Sequence, residues 1–462
     1  MRWGWAVSVR RFCSASLAAC AVVVLVAGVS STRAGVTAAA PPSGYVLASA
    51  VGAGGVMTFP TWTDVRDIAV LPDGSALVQL DRRDPFGALL TTGIAKLRPN
   101  GTLDPAFAPG GSMPGIVEDS AESWGSLTPL ADGGFFVGSR RYGADGAVDT
   151  AYGAGGYIAI NGSMFANPPT ALVELADHRV VMISDAVAFH DCYIFVVDAM
   201  GTPGALTATG VRCSEAIPLR MPDGSMLIVV HEISSGYHLL RLNPAGDLDT
   251  SYGTGGIVAV DPTIGISPRL LDASPTPDGS ILLLPQGYVM TGFIARIDVG
   301  GSLDPAFGGS GEVAFNGVAQ TFTVDDNSAP LVGVGYTFEL HQTMPYHPAL
   351  MQLTASGQIS QQFNPNGLKP GWLDMTEVGI SEPAGGGPQA RFGSDQLLVG
   401  LDFGVTGTSP RLAALVELTP SAPPATTQPP PPPPPTTAGK PSITAAATAT
   451  AKAIRLGPIA GH

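Results

Sequence analysis

Cys192 and Cys213 are the residues of most definite chemistry in this chain of 462 residues. The other two cysteines, Cys13 and Cys20, lie in an N-terminal stretch read below as removable, so an even pair remains, and in an oxidising compartment such a pair forms a disulfide. A metal centre would need partners that the sequence does not cluster, since no further cysteine exists and the seven histidines are scattered. The nearest histidine pair, His341 and His347 around Tyr346, falls in a stretch that reads as a solvated loop. Asp104, Asp149, Asp249 and Asp304 recur at one position of a repeated motif. A calcium loop needs several oxygen ligands close together, and one carboxylate per repeat does not supply them. These aspartates are expected to accept backbone N–H bonds in turns. No metal and no cofactor is expected. The chain has no Gly-x-Ser-x-Gly elbow, no His-Glu-x-x-His and no phosphate loop ending in Lys-Ser/Thr, so no catalytic residue is nominated.

Tryptophan offers a binding clue. With Trp3 and Trp5 set aside, Trp62, Trp124 and Trp372 remain, and Phe165 occupies a comparable stretch. Each lies between the first two strand-like runs of its repeat, and their repeats would be neighbours in a closed ring. Two readings follow: four adjacent loops present aromatics to a sugar or peptide, or each ring lids its own repeat.

The elements that must position these residues are written several times over. Leu97-Arg98-Pro99-Asn100-Gly101-Thr102-Leu103-Asp104-Pro105-Ala106-Phe107 returns around Asp149, Asp249 and Asp304 as Gly-x-Leu/Val-Asp-x-x-Phe/Tyr-Gly. Between the copies runs a second motif, Pro72-Asp73-Gly74-Ser75, repeated at Asp132, Asp223 and Asp278 and in degenerate form near Asp177, Asp326 and Asp395. Asp-Gly between apolar β-rich runs is a hairpin signal, because glycine accepts positive φ and aspartate bonds the turn backbone. Repeats of this length, each with about four strands, belong to propeller blades. The predicted fold is all-β: a β-propeller of seven blades of about four antiparallel strands over residues 51–420. Each unit is read as beginning with the strand after its Gly-Gly pair, as at Val56–Phe59 or Ile257–Val260. The second blade should be shortened, its hairpin between the third and fourth runs lost, because 17 residues separate Asp132 from Asp149 against 26 between Asp223 and Asp249.

This pair of motifs resembles the bacterial delta-60 repeat family across most of residues 51–420. The resemblance implies an exported bacterial protein and a β-propeller-like scaffold, and it brings no catalytic residues.

The ends stand apart from the repeats. Arg2, Arg10 and Arg11 precede an apolar run, Leu17 to Val29, followed by small residues, so residues 1–34 read as a cleaved signal peptide and residues 35–50 as a lead-in. The run is too short to span a bilayer, and no membrane span is expected in the mature chain. Residues 421–462 are rich in Pro, Thr and Ala, with seven consecutive prolines from Pro429, and read as an extended disordered tail, with cell-wall association as one role for it. Losing the four N-terminal arginines takes the net charge from −14 to −18, the wrong sign for nucleic acid. The function expected is an exported, secreted or envelope-bound, non-catalytic propeller that binds an extracellular ligand through one loop face. The alternatives are a propeller hydrolase or lyase with acids lining the central channel, Glu312 being one candidate, and a structural surface spacer.

Overall fold

The computed structural model describes residues 45–48, 55–84, 88–111, 113–119, 125–159, 169–185, 191–232, 236–260, 269–286, 291–336, 347–378, 380, 383–392, 396–403 and 412–420. Seven antiparallel sheets follow one another along the chain. Blade 1 comprises Asp64–Val70, Ala76–Arg83, Leu89–Leu97 and Ile116–Asp119, and blade 2 comprises Leu127–Pro129, Phe135–Val137 and Arg140–Tyr142. Blade 3 spans Ala171 to Arg212, blade 4 Glu215 to Ala259, blade 5 Leu270 to Ala314 and beyond to Asn316, and blade 6 Val318 to Asp374, each with four strands. Blade 7 takes Pro383–Phe392, Gln396–Phe403 and Leu412–Pro420 from the C-terminal part, and two N-terminal strands, Tyr45–Leu47 and Val56–Phe59, pair end to end along its last edge.

The sequence repeat and the blade are therefore out of phase by one strand. The run after each Gly-Gly pair does not open a blade, as expected, but forms the outer strand of the preceding one: Ile257–Ala259 pairs with Gly236–Leu242 of blade 4. Carried round to the start of the chain, the same offset makes Val56–Phe59 the outer strand of blade 7, which closes the ring. Apolar packing follows the ring. One core cluster joins Leu71, Leu77 and Phe107 of blade 1 to Phe135 and Tyr142 of blade 2. The last joins Leu398, Ala413 and Leu415 of blade 7, with Phe59, to Val65, Ile68 and Ala95 of blade 1. Burial thus lies between blades, so a single blade has no core of its own.

Blade 2 is shortened, though its third-strand hairpin is not lost. Val137 pairs directly with Arg140 across a two-residue turn, and among the described residues the fourth strand is one bridge, between Arg140 and Tyr157.

One end of the blades is uniform. In six of them the turn from first to second strand closes with an N–H to carbonyl bond spanning five residues: Leu71 to Ser75, Leu130 to Gly134, Leu175 to Arg179, Met221 to Ser225, Thr276 to Ser280 and Asp325 to Ala329, at 2.8–3.1 Å. The hairpins joining second to third strands, at the other end, range from residues 138–139 to residues 337–346.

Candidate functional site

The repeat aspartates sit where the motif places them, and the structure adds the partner that completes each. Asp304 Oδ1 accepts the Ala306 N–H at 2.9 Å, Asp249 that of Ser251 at 3.1 Å, and Asp104 and Asp149 those of Ala106 and Ala151 at 3.2 Å. The other carboxylate oxygen meets an arginine eight residues earlier: Arg296 with Asp304 at 3.2 Å, Arg241 with Asp249 at 3.4 Å, and Arg141 with Asp149. In the first repeat Lys96 holds that position and Arg98 takes Asp104 at 3.1 Å. Two of these arginines reach further. Arg141 binds Asp132 at 2.6 Å and Arg296 binds Asp278, so one guanidinium joins the Asp-Gly turn of a blade to its Leu/Val-Asp turn. These are structural clamps.

The aromatic three residues after each motif aspartate serves the junction with the next blade. Phe107 lies against Gly146, where an added Cβ would stand 2.9 Å from the ring. Just beyond it, Ala108 N–H donates to Asp145 O at 2.8 Å, and the same bond recurs from Gly153 to Met200 at 2.7 Å and from Gly308 to Ser356 at 2.9 Å.

Trp62 and Trp372 do not form a ligand face. Trp62 is 1% exposed and Trp372 2% exposed, the first packed between blades 7 and 1 and the second between blades 5 and 6. Trp372 lies in the outer strand of blade 6, paired with Met351, and Trp62 follows the outer strand of blade 7, its ring over Gly93 with the Arg82 guanidinium 5.7 Å from the ring centre. A bulky ring at the end of an outer strand fills the wedge between diverging blades, which is why burial wins over display. Trp124, Phe165 and His341 lie outside the described residues.

Cys192 and Cys213 form a disulfide, their Cα atoms 5.1 Å apart. Both are buried, and the bridge ties the third strand of blade 3 to the connection into blade 4. Next to it stands a polar group drawn from two blades. Glu215 Oε2 lies 2.6 Å from His231 Nδ1, Ser214 Oγ lies 2.9 Å from the same nitrogen, and Arg269 of blade 5 binds Glu215 Oε1 at 3.1 Å. Burial opposes the charge on Glu215, but the bonds from His231, Ser214 and Arg269 outweigh it and hold its carboxyl below the usual range. A hydrolytic triad needs acid and serine on opposite ring nitrogens. Here both use Nδ1, so the group is an inter-blade tie.

Asp67 and Asp272 are among the acids of the inner strands, and neither was singled out in the sequence. Asp67 of blade 1 and Asp272 of blade 5 both stand six residues before an Asp-Gly aspartate, each next to a one-residue bulge. Asp272 accepts Thr321 Oγ1 at 2.9 Å and the Phe322 N–H at 3.1 Å from blade 6, and its own Ala273 N–H at 2.8 Å. Asp67 accepts the Ile68 N–H at 2.8 Å and, across the blade junction, that of Leu127. Burial pushes both carboxyls up to about 6, against the pull of these N–H groups, and the charge on Asp67 adds to the rise at Asp272. Glu312, one candidate channel acid under the alternative enzyme reading, belongs instead to the outer strand of blade 5.

Among the described residues no group of three or more His, Cys, Asp or Glu is placed to hold a metal ion, and no helix is long and apolar enough to cross a membrane. An open groove of about 500 Å³ runs along the outer strand of blade 1 beside the truncated blade 2, lined by Pro109, Val117, Glu118 and Asp145.

No protein-family profile matches the chain, and no curated protein matches it. Solved structures that superimpose on it include virginiamycin B lyase from Staphylococcus aureus, with 8% identity and a TM-score of 0.41 over 79% of this chain and 98% of that one. A protein of unknown function from Dyadobacter fermentans gives 14% identity and 0.39 over 79% and 100%. A quinoprotein alcohol dehydrogenase-like protein from Bacteroides thetaiotaomicron gives 10% and 0.37 over 69% and 76%. The class of the protein, a seven-bladed β-propeller, rests on its own sheet order, ring of cores and closure.

Proposed function

We propose that this protein is an exported, non-catalytic β-propeller that binds an envelope or extracellular ligand, a sugar or a peptide, through the end of the ring bearing the hairpins between second and third strands. The observation that carries this reading is the contrast between the two ends. At one end, six turns share one hydrogen-bonded frame, and in two of them the turn aspartate, Asp132 or Asp278, is held by a clamp arginine. At the other, the hairpins vary from two residues (138–139) to ten (337–346) on the same scaffold. Variable loops on a rigid frame are where recognition is placed. Export is supported by the arginine-led apolar N-terminus and by the buried Cys192–Cys213 disulfide, a bond that persists in oxidising compartments.

The test is binding of the secreted protein to immobilised peptidoglycan fragments, polysaccharides and peptides. Saturable binding to one class, abolished when residues 337–346 are replaced by a Gly-Ser segment of equal length at unchanged thermal stability, is the expected result. Retention of binding after every long hairpin has been replaced in turn would overturn the assignment to this end. Turnover of any of these polymers by the secreted protein would favour the hydrolase or lyase reading.

A further inference from the structure

Asp67 and Gln79 stand directly opposite each other on the first two strands of blade 1. Residues so paired carry their Cβ atoms about 5 Å apart on one face of the sheet. Both reach toward blade 2. The Asp67 carboxylate accepts the Leu127 N–H, and Gln79 Nε2 donates to Gly125 O at 2.9 Å. A carbonyl can only accept, so the contact with Gly125 fixes which end of the amide carries nitrogen. The other end, Gln79 Oε1, is then left buried without a donor, in a side chain with no solvent exposure. A buried amide oxygen in that position calls for a proton donor beside it. Asp67, its partner across the strands, can supply one when its carboxyl is in the acid form.

We propose that Asp67 and Gln79 form a proton-operated clasp at the junction of blades 1 and 2. With the carboxyl protonated, its O–H donates to Gln79 Oε1 while Gln79 Nε2 holds Gly125, and the clasp is closed. With the carboxyl ionised, a carboxylate oxygen faces the amide oxygen, neither can donate, and the clasp opens. The proton is taken from and returned to solvent.

Burial holds the Asp67 carboxyl up to about 6, in the range where a mildly acidic surrounding switches it. Arg66 beside it pulls the other way, and Asp272 across the ring is the acid coupled to it. Of the strands packed on the inner strand of blade 1, that of blade 2 carries no titratable residue. The second strand of blade 1 carries Asp81, tied to Arg83 at 2.7 Å, and blade 7 contributes Arg391, Asp402 and Glu417 on its three C-terminal strands. The junction is a fitting place for a switch, because the inner strand of blade 2 has three residues, Leu127–Pro129, and among the described residues its sheet has three strands.

The clasp is tested on the full chain by a carboxyl ¹³C titration of Asp67, together with amide-exchange protection of residues 125–129 at pH 5 and 7.5. In the wild type the midpoint is expected near 6, with protection about tenfold higher at pH 5. Gln79→Leu should lower the midpoint by about one pH unit and remove the pH dependence of protection. Asp67→Asn, whose amide can donate to Gln79, should keep protection high at both pH values. An unchanged midpoint in Gln79→Leu, or Asp67→Asn protection at pH 5 no higher than that of the wild type at pH 7.5, would overturn the proposal. The second variant keeps the test decisive if the first fails to fold.

Discussion

Arg296 binds Asp278 and Asp304 at once, so the turn between the first and second strands of blade 5 and the turn between its third and fourth strands are held by one guanidinium, 11% exposed. Its Nη1 also donates to Ala355 O of blade 6 at 3.0 Å. Arg296→Met is expected to lower unfolding free energy by about 2 kcal/mol in urea denaturation, because it leaves charge-assisted bonds unmade on partly buried groups. Arg241→Met removes a looser pair, 3.4 Å long with the arginine 38% exposed, and should cost less than about 1 kcal/mol. Equal losses would mean that the double clamp adds nothing.

Stability should rise on mild acidification. Asp67 and Asp272 have folded pKa values pushed up to about 6 by burial, whereas unfolded aspartate titrates near 4. Between these values the folded chain holds more protons than the unfolded one, so stability falls as pH rises through the window, by at most roughly 3 kcal/mol for each carboxyl. Asp73, Asp223 and Asp249 move the other way, held low by the hydroxyls of Ser75, Ser225 and Ser251, and their contribution is lost as pH drops below about 4. A maximum of Tm near pH 5 is expected, and Asp67→Asn with Asp272→Asn should flatten the slope above it.

Reduction of the Cys192–Cys213 bridge should lower stability by about 3 kcal/mol, the loop-closure value for its sequence separation of 21. Thermal unfolding of the Cys192→Ala/Cys213→Ala variant, with and without reductant, measures it. Reductant should leave the variant unaffected.

Gly153 and Gly224 both have positive φ, 53° and 83°, but differ in what surrounds them. A Cβ at Gly153 would fall on the Tyr157 carbonyl, whereas one at Gly224 meets open space. Gly224→Ala is expected to cost about 1–2 kcal/mol from backbone strain, and Gly153→Ala roughly 3–4 kcal/mol. Paired chemical denaturation curves separate the two effects.

Much of this was legible before the structure. Asp-Gly turns and their degenerate forms locate the seven first hairpins, and Leu/Val-Asp turns locate four of the connections between third and fourth strands, because they impose local backbone geometry that neighbouring residues cannot override. The blade phase was not legible, since Ile257–Ala259 reads equally well as the start of one unit or the end of another and only its pairing with Gly236–Leu242 decides. The choice between display and a lid at Trp62 and Trp372 was not legible for a related reason: a tryptophan beside a turn does not reveal whether a neighbouring blade covers it. Arg141, Arg241 and Arg296 did carry a signal, each eight residues before its aspartate, as Asp67 and Asp272 each stand six before theirs. Both spacings are visible in the sequence, but their meaning depends on strands that meet only in the folded ring.

Val56–Phe59 pairs with Ala413–Val416, so the earliest strands of the ring wait for the latest. During synthesis no partial chain can complete the circle, and every intermediate keeps an open edge at its growing end until Pro420 has emerged. Cooperative closure is thereby postponed until the whole stretch from Tyr45 to Pro420 exists, so every newly made chain passes through an open, incomplete ring.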